Sequence, residues 1–127
     1  MRLQLALAGL LAAALVLGAA HLGISQWLAA HPWWAVKIAW VGTPTGLILA
    51  GLTIWLIGAR SITAAGFIIL TLAAYWATSA GKADFVSFFA EDTRVSHVWY
   101  FGWIATDALS TTTITILSAS RLARHSV

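Results

Sequence analysis

Asp107 stands near the middle of an apolar run from Val98 to Leu117, VWYFGWIATDALSTTTITIL, long enough to cross a bilayer. A carboxylate at that depth costs roughly 3 kcal/mol on insertion scales. It therefore calls for a partner, a hydrated cavity or a function. An acid so placed can cycle a proton, act as a general acid, or form the polar floor of a ligand site.

Trp99, Trp103 and Asp107 follow i, i+4, i+8 spacing, so two indoles and the carboxylate share one helix face. Seven of the eight tryptophans, Trp27, Trp33, Trp34, Trp40, Trp76, Trp99 and Trp103, map to one half of the chain's expected topology. Tyr75 and Tyr100 join them, and Trp55 alone maps to the other half. An interfacial belt places such rings at both membrane faces. One-sidedness points instead to an outward-facing aromatic cup above Asp107; a belt combined with packing is the alternative. Such a cup suits a lipid-, quinone- or isoprenoid-like molecule, or a cation over ring faces.

Counting inward at 1.5 Å per residue sets Asp107, Pro44 and Thr71 at one depth, with Thr43, Thr45 and Thr106 nearby. Pro44 removes an N–H and frees the Trp40 carbonyl. The candidate ligand-binding residues are thus Trp40, Trp76, Trp99, Trp103 and Tyr75, with Thr43, Thr45, Thr71 and Thr111. Asp107 is the catalytic candidate if the chain is an enzyme or a carrier. Asp107, Thr111, Thr115 and Ser118 also form a stripe, readable as a proton path or as an interhelical hydrogen-bond seam. Lys37 either snorkels to the headgroups or reaches toward Asp107. His21, His31 and His97 share the outer side and could ligate a metal or haem, but no pair has motif spacing. No cofactor is specified.

The elements that must position these residues are four apolar stretches: Leu3–Ile24, Trp34–Ile57, Ile62–Ala80 and Val98–Ser118 (residues 3–24, 34–57, 62–80 and 98–118). In lipid, backbone hydrogen bonds must close within each segment, so all four read as helices. The expected fold is an all-α, four-helix transmembrane bundle forming a single domain over residues 1–127. A short amphipathic segment carrying Phe85, Phe88 and Phe89 is expected at the interface between the third and fourth helices. Arg2 followed by Leu3–Leu17 and Gly18-Ala19-Ala20 resembles a secretory signal. The apolar run continues through Ile24, however, so the segment is expected to be retained. The tight turn Gly58–Ser61 makes the second and third helices expected neighbours. Gly42, Gly46 and Ala50, like Ala14–Gly18 and Ala19–Gly23, have close-approach spacing, for packing within the chain or onto another subunit.

Composition sets the class. Of 127 residues, 61% are hydrophobic and 9% charged, against about 25% charged in a soluble domain. Seven Lys and Arg are dispersed, so despite a net charge of +3 no basic stripe tracks nucleic acid. There is no Cys, which excludes disulfides, thiolate metal sites and CxxC redox chemistry. Arg2, Arg60, Arg121 and Arg124 fall on one side, against Lys37, Lys82 and Arg94 on the other. That balance places both termini in the cytoplasm and the protein in a plasma or inner membrane.

Three function classes follow. The first is a binding or accessory subunit that holds a hydrophobic ligand, alone, as a homo-oligomer or in a larger membrane complex. The second is a proton-coupled carrier using Asp107. The third is a membrane isomerase or cyclase with Asp107 as general acid. Membrane lipids are expected partners in all three.

Overall fold

A computed structural model of the chain describes residues 2–28, 30, 34–87 and 93–125. Every regular element among them is helical: α1 (Arg2–His21), α2 (Ile24–Trp27), α3 (Ala35–Ile57), α4 (Ser61–Ser87) and α5 (Thr93–His125). Three stretches are long and apolar enough to cross a membrane: α1, α3 and Ser61–Ala80 of α4.

Glycine ends two of the helices. Gly23 follows α1 with φ of 84°, and Gly58 follows α3 with φ of 81°. A side chain would strain both conformations. The Gly58 N–H donates to the Ile54 carbonyl at 2.8 Å, and α4 starts three residues later. In place of a separate interfacial helix, residues 81–87 continue α4 and residues 93–97 begin α5. Phe85 falls within α4, while Phe88 and Phe89 lie outside the described residues.

The organising element is α5, which packs against α1, α3 and α4. Despite their short turn, α3 and α4 meet chiefly through α5. Ala50, Ala64 and Ile116, one from each helix, form a buried cluster. The central helix is also the one richest in hydroxyls. Thr106, Thr111, Thr112, Thr113 and Thr115 are all buried. Each donates to the carbonyl four residues earlier, at 2.7–2.9 Å. A hydroxyl so bonded is buried without needing a partner on another helix. Polar residues thus gather where three helices shelter them, and the exposed surfaces are left to Leu, Ile and Trp.

Small residues bring the helices together. Cβ atoms built on Gly42 and Gly46 of α3 would run into Asp107 and Thr111 of α5, so the Gly42–Gly46–Ala50 face is used inside the chain. The α1 face is Ala8, Ala12, Val16 and Ala20, all buried at i, i+4 spacing. Gly18 and Gly23, which the sequence offers for close approach, have nothing within 4 Å of a built Cβ.

Candidate functional site

Asp107 is 5% exposed, on α5 where that helix meets Gly42 of α3. Three buried polar atoms have no hydrogen-bond partner among the described residues: Asp107 Oδ2, Thr43 Oγ1 and Trp103 Nε1. Buried polar groups are nearly always paired, so each of these three calls for an explanation. Lys37 is exposed, and no ion pair joins it to Asp107 among the described residues.

Beside Asp107 lies a cleft of about 380 Å³. Its floor is α5, with Trp103, Thr106, Asp107, Ser110 and Ile114. That span covers about 16 Å at 1.5 Å per residue. One wall is α1, through Leu15, Val16 and Ala19; the other is α4, through Thr71, Leu72 and Tyr75. Leu15 and Leu72, one on each wall, are 52% and 63% exposed, so the cleft is open between α1 and α4. At one end α2 closes it with Ile24, Ser25 and Leu28. The Tyr75 hydroxyl donates to the Leu28 carbonyl at 3.0 Å and ties α4 to that lid. At the other end a hollow of about 200 Å³ shares Thr71, Leu72, Ser110 and Ile114, and reaches Ile68 and Thr113. The cleft is thus a mainly aliphatic trough with one carboxylate and a few hydroxyls along its floor.

Of the sequence candidates, Thr71, Tyr75, Trp103 and Asp107 line this cleft. Thr71 lines the cleft together with Asp107; its hydroxyl donates to the Phe67 carbonyl at 2.7 Å and lies 3.4 Å from that of Thr113. Thr43 and Thr111 are buried between α3 and α5. Thr45 is exposed and donates to the Val41 carbonyl of its own helix. Trp40 and Trp76 are 56% and 74% exposed and line no part of the cleft. The Trp40 indole N–H instead donates to His21 Nε2 at 3.2 Å. Trp99 belongs to a packed aromatic group, with Trp34 at 5.3 Å between ring centroids and the Lys82 ammonium 5.7 Å over its ring. Trp103 meets Tyr75 edge to face at 5.8 Å. These rings form a core at the α2 end rather than the walls of an outward cup.

Sequence reasoning missed the α1 and α2 contributions, Leu15, Val16, Ala19, Ile24, Ser25 and Leu28, together with Ser110. Ser110 carried a usable signal, because it lies one turn from Asp107 at i, i+3. The α1 residues carried none, since nothing distinguishes them from neighbouring alanines and leucines. Of the histidines, His97 packs on Phe101 at 5.8 Å and His31 lies outside the described residues. No group of three or more metal-ligating side chains occurs among the described residues. No family model matches the chain, and no curated protein or solved structure matches it.

Proposed function

We propose that α5 also crosses the membrane, giving a four-helix transmembrane bundle, and that this bundle holds a hydrophobic small molecule in the cleft between α1 and α4. The occupant is lipid-, quinone- or isoprenoid-like: an apolar body against Leu15, Leu72 and Ile114, and a polar group that bonds to Asp107. The observation that carries this reading is the cleft itself. Its volume of about 380 Å³ falls within the range of small-molecule pockets, and a 5%-exposed carboxylate with an orphaned oxygen lies on its floor. A binding or accessory role ranks above the two chemical ones on specific grounds. The hydroxyls of Thr111 and Thr115 already donate to carbonyls of α5, which argues against a free proton path along that stripe. Trp40 and Trp76, two of the rings proposed to stabilise a carbocation beside the acid, are exposed and line no part of the cleft. The Gly42–Gly46 face is occupied by α5, so docking onto another subunit would use the exposed apolar surfaces.

The test is native mass spectrometry of the full chain released from mild detergent, with lipid extraction of the same sample. The expected result is a hydrophobic molecule retained by the wild type and lost from Ser110→Leu and Thr106→Leu, which fill the trough. If wild type and filled variants carry the same adducts in the same amounts, the reading fails.

A further inference from the structure

A second hollow lies at the opposite end of the molecule from the α2 lid, between the α3–α4 turn and the last turns of α5. It measures about 510 Å³, and its polar lining is Arg60, Ser61, Ser120 and Arg124. The Arg124 guanidinium donates to the Ser61 hydroxyl at 3.0 Å. That hydroxyl lies 3.3 Å from the hydroxyl of Ser120, which is only 4% exposed. Arg124 is therefore held over the hollow by a buried anchor, while Arg60 enters from the turn on the other side. The α4 helix begins at Ser61, and the first N–H groups of a helix have no acceptor within it.

Among the described residues no ion pair offsets this charge. The chain has four acidic residues, Asp84, Glu91, Asp92 and Asp107. Asp107 is about 25 Å from Arg124 along α5, and Asp84 about 35 Å from Ser61 along α4, at 1.5 Å per residue. Glu91 and Asp92 follow the far end of α4 in sequence. Two arginines, a helix start and two hydroxyls thus line one hollow, with no counter-ion among the described residues. Guanidinium forks match phosphate oxygens in pairs, and helix starts favour the same anions.

We infer that this hollow binds a phosphate group, as a monoester or diester, whose charge no ammonium on the same molecule offsets. Arg60 and Arg124 contribute the charge, and Ser61 and Ser120 hold Arg124 in place. The inference is independent of the cleft, with which the hollow shares no residue. A lipid headgroup and a soluble phosphate offer the same chemistry, and the experiment separates them.

The full chain is placed in nanodiscs of equal parts phosphatidylcholine and phosphatidylglycerol, and the lipids it retains are read by native mass spectrometry. The expected result is a roughly tenfold preference for the phosphatidylglycerol, the size of one charge-assisted contact. The preference disappears in Arg60→Gln/Arg124→Gln and persists in Arg121→Gln, an exposed arginine at the same end but outside the hollow. In a second arm, inorganic phosphate is titrated against the chain in phosphatidylcholine alone. Stabilisation that needs both arginines, without a lipid preference, identifies the soluble source. Absence of both effects in the wild type overturns the inference, as does loss of the preference in Arg121→Gln to the same degree as in the double variant. Should the double variant fail to insert, Arg60→Gln and Arg124→Gln are read singly, and a preference unchanged in both overturns the inference.

Discussion

A methyl group built on Gly42 of α3 would lie 2.7 Å from the Cβ of Asp107, so the two helices touch where the carboxylate leaves α5. The Ile104 carbonyl lies at 3.1 Å from the same point, and backbone cannot swing aside as a side chain can. Gly42→Ala is therefore expected to force α3 and α5 apart and cost about 1–3 kcal/mol. Gly18→Ala meets nothing within 4 Å, and is expected to be neutral or to gain up to about 1 kcal/mol from lost unfolded-chain freedom. Unfolding midpoints in mild detergent check the pair, and the reverse order would place the packing face elsewhere.

Asp107→Leu separates stability from function. The substitution removes a buried oxygen that has no partner, and relief of its desolvation is expected to stabilise the helices by about 1–3 kcal/mol. The same change removes the polar contact on the cleft floor, so retention of the co-purifying molecule should drop at least about tenfold, the cost of one good hydrogen bond. A variant that is more stable and still fully loaded would make Asp107 a bystander.

Two threonines on facing helices should respond oppositely. The Thr112 hydroxyl bridges from α5 to the Gly46 carbonyl of α3 at 3.0 Å. Thr112→Val should cost about 0.6 kcal/mol, the usual worth of such a bond between membrane helices. Thr43 Oγ1 has no partner, so Thr43→Val should cost nothing measurable or stabilise slightly. Equal losses at both positions would mean that Thr43 has a partner in the membrane.

The aromatic residues divide by burial. Trp103 is 3% exposed and lines the cleft, whereas Trp76 is 74% exposed. Trp103→Ala should cost about 3–5 kcal/mol and empty the cleft. Trp76→Ala should stay within about 0.5 kcal/mol and leave retention intact. Thermal unfolding together with mass spectrometry on the same samples reads both effects.

Tyr75→Phe tests the lid. Losing the bond to the Leu28 carbonyl should cost about 1 kcal/mol. The local consequence is faster amide hydrogen exchange over residues 24–28 and faster release of the cleft's contents, with exchange in α3 unchanged. Unaltered exchange across α2 would show that the bond does not hold the lid.

Much of the helical layout was legible in the sequence because, in lipid, length and hydropathy nearly determine which segments are helical. That Gly42 and Gly46 form a close-approach face was legible too, but the spacing left open whether α5 or another subunit would meet it, and the structure seats α5 there. What could not be read was direction around each helix axis. Trp40, Trp76 and Trp103 are equally aromatic and comparably deep, and only packing decides that Trp103 turns inward while the other two face outward. The position of α5 was hidden for a related reason. Its hydroxyls look like a polar stripe in sequence, yet the five buried threonines each donate within their own helix, so the stripe is compatible with burial on all sides. The extension of α4 to Ser87 escaped because its last turns carry Lys82 and Asp84, charges that mark the end of an apolar run without ending the helix.

If all four long helices cross the membrane as proposed, the gap between α1 and α4 faces neither aqueous compartment. A molecule that settles there travels in the plane of the bilayer, and the concentration that governs its occupancy is a mole fraction among lipids. Adding lipid or detergent at fixed total ligand would then empty the trough by dilution alone. An affinity quoted per litre of buffer would shift with every change in the amount of membrane, while one quoted per mole of lipid would hold.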